Sequence, residues 1–192
     1  MGKIGEVKDM KKKKFNTNDQ NVWFTSDEHY GHKNIIDFCN RPFGSVHEMN
    51  KLLIEYHNSV VGPKDIVFHL GDFSLVNDTE KVYRDYIDRL NGIHYFLRGS
   101  HDKWLKDKNA PYVIEMVVNG QHIVISHYAM RTWPRSHWNT WHLFGHSHGG
   151  VPPYGKSFDV GVDCTDYFPL DFQGVCDKMA SLDDNFNLVR EK

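Results

Sequence analysis

Five times along this chain an apolar run stops at an aspartate or a histidine. Val22-Trp23-Phe24-Thr25-Ser26 ends at Asp27-Glu28-His29, and Asp65-Ile66-Val67-Phe68-His69-Leu70 delivers Gly71-Asp72. The run from Ile93 to Leu97 delivers Gly99-Ser100-His101-Asp102, and the run ending at Ser126 delivers His127. Trp141-His142-Leu143-Phe144 leads into Gly145-His146-Ser147-His148-Gly149. Short runs of β-favouring residues bounded by turn residues read as strands. Each strand therefore ends in a group with chemistry, and the fold has to bring those ends together for them to act as one site.

The segments between the runs narrow the fold. Residues 34–39 read as a short helix stopped before Pro42. Ser45, with Glu48 three residues on, is a capping box for a helix carrying Met49, Leu52, Leu53, Tyr56 and Val60 at helical spacing. Asp78 or Thr79 caps a further helix through Leu90, closed by Asn91-Gly92. The order β-α-β-α-β predicts a parallel sheet covered by helices. Beyond residue 111 the pattern changes to a hairpin, 112–118 and 121–126 about an Asn119-Gly120 turn. Strands at 141–144 and 157–164 follow, and then a terminal helix or turn over 172–182. The expected fold is an α/β four-layer α-β-β-α sandwich, two packed mixed sheets with helices outside. Residues 21–192 would form one domain. Residues 1–20, with Lys11-Lys12-Lys13-Lys14, read as a disordered leader, the alternative being a nucleic-acid-binding arm.

Composition removes several classes. A formal net charge of −2 gives no global basic field for nucleic acid. The sequence has no apolar run long enough for a membrane span and no apolar segment after the lysines to make a secretory signal. Three cysteines without a Cys-x-x-Cys pair argue against a disulfide framework and for a reduced, cytoplasmic setting.

The strand ends hold only Asp, His and one serine. In open α/β sheets, ligands bind beyond the carboxyl ends of strands. Asp27 and His29, and likewise His146 and His148, alternate by two, so each pair would face one side of an extended segment. Mixed carboxylate and imidazole donors without thiolate suit Mn²⁺, Fe, Ni²⁺ or Zn²⁺. Six candidate ligands, Asp27, His29, Asp72, His127, His146 and His148, exceed one tetrahedral site and fit two ions with a bridging carboxylate. Two ions about 3.5–4 Å apart suit phosphoryl displacement.

Asp-x-His, Gly-Asp, Gly-Ser-His-Asp, a lone His after a strand and Gly-His-x-His stand here in that order. The sequence thereby resembles the calcineurin-like metallophosphoesterases over residues 22–165. Phe24-Thr25-Ser26, Gly31-His32-Lys33-Asn34-Ile35-Ile36 and Arg41-Pro42-Phe43 resemble the small single-domain bacterial and phage branch. The resemblance implies Asp27, His29 and His148 on a first ion, Asp72 bridging, and His127 and His146 on a second, with manganese the first choice of metal. It implies a metal-activated hydroxide as nucleophile, His101 as the group that protonates the leaving oxygen or neutralises the developing charge, and Asp102 orienting His101. The family has Asn where this chain has Ser100, and the Asn amide oxygen binds the second ion. A serine hydroxyl is shorter and a poorer donor, so the second ion should bind more weakly.

The implied activity is hydrolysis of phosphomonoesters or phosphodiesters, nucleotides or cyclic nucleotides among them. The alternative is a binding or scaffold protein that keeps the fold without the chemistry. His32 and Arg41 are candidate phosphate contacts, or else a solvent-facing pair. Arg131, Trp133, Arg135, His137, Trp138 and Trp141 form an aromatic and basic stretch that reads as a substrate rim for a base, or else as packing under a loop. His69 reads as a partner to a ligand or as a core histidine. Asp163 and Asp166 read as structural or turn residues, and His47, His57, His94, His122 and His142 carry no assigned role.

Overall fold

The computed structural model describes residues 3–5, 14–107 and 110–189. Ten strands form two five-stranded sheets. The first holds β1 (Lys3–Ile4), β3 (Val22–Thr25), β4 (Ile66–His69), β5 (Ile93–Phe96) and β10 (Leu170–Asp171), in the order β1-β5-β4-β3-β10. The second holds β2 (Lys14–Phe15), β6 (Val113–Val118), β7 (Gln121–Ser126), β8 (Trp141–Phe144) and β9 (Ser157–Asp159), in the order β2-β6-β7-β8-β9. In the first sheet only β10 runs antiparallel; in the second the antiparallel pair is β6 with β7. The chain is thus an α/β sandwich of two packed mixed sheets.

Alternation along the strands explains the packing. Val22, Phe24, Ile66, Phe68 and Tyr95 of the first sheet meet Ile114, Met116, Val118, Ile123, Ile125 and Leu143 of the second in one buried core. The intervening residues of β4 and β5 are buried as well, because helices cover the other face, as parallel strands require. That cover comprises α1 (Ile35–Phe38), α2 (Val46–Val60) and α3 (Thr79–Asp85), which bury Ile35, Met49, Leu53, Ile54 and Val82 with Phe73, Phe96 and Trp104. The α2 cap is the expected box with one change: Ser45 Oγ accepts from Glu48 N at 3.1 Å, and Glu48 Oε2 accepts from Gly44 N at 2.7 Å, not from Ser45. The outer face of the second sheet is covered by a loop over 128–140, where Trp133 stacks on His142 with ring centroids 5.2 Å apart. Helix α4 (Phe172–Ala180) sets Phe172, Val175 and Met179 into the inter-sheet core.

Three expectations shift. The helix expected from 78 to 90 ends at Asp85 and resumes as a 3₁₀ turn over Ile87–Arg89. The strand expected over 157–164 stops at Asp159 and gives a 3₁₀ turn, Val162–Cys164. The leader is no free arm over its described residues: Lys3–Ile4 pair with β5, and Lys14–Phe15 pair with β6. Most of the lysine run lies outside the described residues. The hairpin turn is as expected, with Asn119 at φ 48° and Gly120 at φ 85°, the left-handed pair that a type I′ turn demands. Among the described residues no helix is long and apolar enough to cross a membrane.

Candidate metal centre

The carboxyl ends of β3, β4 and β5 from one sheet and of β7 and β8 from the other meet at one rim. There the loops after β3 and β4 continue to pair: Asp27 N donates to Gly71 O at 3.1 Å and His29 N to Asp72 O at 3.1 Å. Gly145 N donates to His127 O at 3.0 Å, which ties the β7 and β8 ends together. All six candidate ligands fall into two sets of three whose donor atoms lie within 4.8 Å of one another: Asp27, His29 and His148, and Asp72, His127 and His146. Asp72 sits between the sets, with Oδ2 at 3.9 Å from His29 Nε2 and 3.3 Å from His127 Nε2.

The backbone reaches this arrangement by an unexpected route. Asp27, His29, Asp72, His146 and His148 all stand at positive φ, between 47° and 67°. They are therefore not alternating positions of an extended strand. Each sits on a sharp turn that throws its side chain to the rim. Left-handed backbone at residues with a Cβ costs roughly 1–3 kcal/mol each and clusters at functional sites. Gly145 makes the closeness possible, since a Cβ there would collide with Ser26 Oγ and Asp27 Oδ2.

Three buried donor atoms at the centre make no hydrogen bond: Asp27 Oδ1, His29 Nε2 and His127 Nε2. The His127 ring shows why this matters. Its Nδ1 faces the Leu70 carbonyl at 3.0 Å, so Nδ1 carries the proton. Its Nε2 lone pair then faces the Asp72 carboxylate oxygen at 3.3 Å. Two lone pairs facing each other call for a cation between them, a proton or a metal ion. Burial alone would lower the His127 pKa, yet the neighbouring Asp72 and Asp27 raise it overall. Burial pushes Asp27 up to about 7 and His29 down to about 3. A divalent cation among these groups would stabilise the ionised Asp27 carboxylate and use the lone pair that the neutral His29 ring leaves free. The donor set fits the expected metal centre.

Around the six, several roles differ from expectation. Asp102 does not orient the His101 ring. Its buried carboxylate accepts from the backbone N–H of Asp72, Phe73, Ser74 and Gly99 and from Trp104 Nε1, so it builds the turn that carries Asp72. His101 does face the cleft, 44 % exposed, with Nε2 at 3.9 Å from Asp72 Oδ2. Ser100 Oγ donates to Asp72 Oδ2 at 2.9 Å and so touches a member of the second set. His32 lies beside the site, Nδ1 at 3.4 Å from His29 Nδ1. Arg41 is not a phosphate contact. It is buried, and its guanidinium grips Asp163 at 2.8 and 2.7 Å, the Asp27 carbonyl at 2.7 Å and the Glu28 carbonyl at 3.0 Å. Arg131 lies over the Tyr154 ring at 3.9 Å and is absent from the cleft lining, and Trp133 is buried cover for the second sheet.

Two groups do more than the sequence suggested: Asp163, read as a structural or turn residue, and Glu28, given no role of its own. Asp163 Oδ2 sits 2.7 Å from His148 Nδ1. Glu28 Oε1 meets His69 Nδ1 at 2.6 Å, and His69 Nε2 meets His94 Nδ1 at 2.9 Å. His69 is thus neither simply a core histidine nor a direct partner of a ligand; it holds the residue between two ligands. Asp163 lies 15 residues from His148 with no motif to mark it. An acid at the end of the 157–164 run was the only available signal.

The cleft over the two sets has a volume of about 770 Å³, with Ile35, Phe38, Cys39 and Asn40 of the α1 region forming a wall opposite the histidines. A second hollow of about 480 Å³, edged by Val151, Pro152, Pro153 and Phe168, contains none of the six.

Fold and rim together define an α/β sandwich with a histidine-aspartate centre where two sheets meet. No family model matches the chain. It is 37 % identical over 156 residues to the uncharacterized protein MJ1445 of Methanocaldococcus jannaschii, covering 78 % of this chain and 85 % of that protein, and the chain belongs to the same family. The Gene 66 protein of Mycobacterium phage L5 is 35 % identical over 83 residues, 43 % of this chain and 40 % of that protein. The crystal structure of AQ665 from Aquifex aeolicus, a protein of unknown function, shares the fold, with a TM-score of 0.62 over 83 % of this chain and 99 % of that one at 23 % identity.

Proposed function

We propose that this chain is a metal-dependent phosphohydrolase of the metallophosphoesterase kind, acting on a phosphomonoester or phosphodiester such as a nucleotide. The observation that carries the reading is the pairing of two donor triads, with Asp72 between them and three buried donor atoms left without hydrogen bonds. Asp27, His29 and His148 would hold one divalent ion, His127 and His146 the other, and Asp72 both. Manganese is the first choice for this nitrogen and oxygen set, with Fe, Ni²⁺ and Zn²⁺ as alternatives. Such ions supply Lewis acidity to a phosphate and make water acidic near neutral pH. The chain's own contribution is to present these donors on rigid turns and to keep the cleft open beside His101, which would give a proton to the leaving oxygen. The cleft lining contains no lysine or arginine, so phosphate charge would be met by the ions and the histidines. The three cysteines are free, which suits a reducing, cytoplasmic setting.

One observation favours a weaker second reading, a catalytically impaired binding protein. The Ser100 hydroxyl is engaged with Asp72, where the Asn of the family it resembles would offer an amide oxygen to the second ion. Turnover of bis-nitrophenyl and nitrophenyl phosphate with Mn²⁺, in the native chain and in Ser100→Asn, decides between them. Hydrolysis that chelation abolishes supports the enzyme. Inactivity of both proteins on both esters defeats it, and activity in Ser100→Asn alone establishes the impaired form.

A further inference from the structure

The structure assigns to Asp163 and Arg41 a positioning role: together they fix which nitrogen of His148 faces the first ligand set and lock that histidine to the turn carrying Asp27. The inference rests on the proposed metal centre for its consequence, but not for its geometry.

Asp163 lies in the 3₁₀ turn Val162–Cys164, which docks beside the end of β3: Val162 N donates to Ser26 O at 2.9 Å, and Ser26 bridges to Gly161. Arg41 closes on its carboxylate through two parallel bonds, Nε to Oδ1 at 2.8 Å and an NH2 nitrogen to Oδ2 at 2.7 Å. A carboxylate held in such a fork is ionised and can only accept. His148 Nδ1 lies 2.7 Å from Oδ2 and must therefore be the donor. The His148 proton sits on Nδ1, and the Nε2 lone pair is left for the ligand set. Arg41 has no other freedom. Its remaining donors bind the Asp27 carbonyl at 2.7 Å and the Glu28 carbonyl at 3.0 Å, and its side chain is fully buried.

A single guanidinium thus ties the backbone at Asp27 to the side chain that orients His148, a ligand 121 positions further along the sequence. Without the clamp, His148 could present either nitrogen, and the Asp27 turn would lose its carbonyl partner. The same grip argues against Asp163 as a ligand. Asp163, Cys39 and His148 lie within coordinating reach of one another, but both Asp163 oxygens are already engaged. Partners that orient ligating histidines are worth roughly 10- to 100-fold in metal affinity.

Two measurements test this on the full chain. Long-range proton–nitrogen NMR of the metal-free protein, titrated upward until the ring is neutral, should show His148 as the Nδ1–H tautomer; an Nε2–H tautomer overturns the inference. Calorimetric titration with Mn²⁺ should show the tighter ion weakened about 10-fold in Asp163→Asn and up to about 100-fold in Asp163→Ala. Affinities within twofold of the native protein in Asp163→Asn, which keeps the shape of the side chain, also overturn it. If the native protein takes up no Mn²⁺, the proposed function fails, and the NMR result alone then decides the clamp.

Discussion

The two ligand sets are built differently. In the first, Asp27 and His148 each bond a partner outside their own set. Asp27 Oδ2 accepts from His146 N at 2.8 Å, and His148 is held by Asp163. The chain between Asp27 and His29 is anchored by Arg41 and by Glu28. In the second, His127 is buried and fixed by Leu70 O, but His146 is exposed on the cleft side, with its ring packed against Tyr128 at 4.6 Å between centroids. The neighbouring Ser100 reaches only Asp72. The first set is braced at more points than the second. The sets are also not independent, because the loop that supplies His146 to the second also steadies Asp27 of the first.

The largest expected effect tests what carries the second set. Asp102→Ala would strand five donors around Asp72 and should cost about 5 kcal/mol of stability or more, since each orphaned buried group costs at least about 1 kcal/mol. A denaturant titration showing a loss under about 1 kcal/mol would mean the Asp72 turn is held by other contacts. Next comes the first set. Mn²⁺ at a hundredfold excess over its dissociation constant should stabilise the protein by about 2.7 kcal/mol. Thermal melts should show His29→Ala losing most of that gain and His146→Ala keeping most of it. The opposite ranking would reverse the comparison.

Acid acts behind the second set. His142 is fully buried between Ser126 Oγ and Ser157 Oγ at 2.9 and 2.8 Å, and burial holds its pKa down to about 3. It stays neutral when folded and takes a proton when unfolded. Its contribution is therefore complete above the unfolded value near 6.5 and falls as pH drops from there towards 3. Equilibrium unfolding should lose about 2 kcal/mol between pH 6.5 and pH 5 on this account. A His142→Phe variant should show a flatter profile, and an unchanged slope would assign the acid loss elsewhere. The smallest effect is Ser100→Asn, which lengthens the reach towards the second set. It should tighten the weaker Mn²⁺ site about tenfold, about 1.4 kcal/mol, with the tighter site unchanged. Calorimetry that finds the two sites equally affected would remove the asymmetry.

Much of this was legible in the chain. The parallel strands, the Asn119-Gly120 hairpin, the Ser45 cap and the grouping of six Asp and His residues follow from residue type and spacing. The left-handed turns did not, because Asp and His carry no sequence mark that separates a strand end from a turn. Nor did the Arg41 clamp, since a lone arginine near a site reads as a phosphate contact until its burial is known. Asp102 was placed in the right neighbourhood and given the wrong partner. The family resemblance implied a pairing with the His101 ring, whereas four backbone N–H groups of the converging loops and Trp104 Nε1 claim its oxygens. Partners supplied by distant backbone are the part of a site that spacing does not encode.

The two short strands near the start of the chain bear on the open edges of the sheets. Lys3–Ile4 cap the open edge of one sheet beside β5, and Lys14–Phe15 cap the open edge of the other beside β6. Shortening the chain to residue 21 would bare both edges at once, including the Val113–Val118 strand. Unpaired edges of that kind recruit other chains. The two strands, outside both ligand sets, would then act as a guard against self-association, one posted on each sheet.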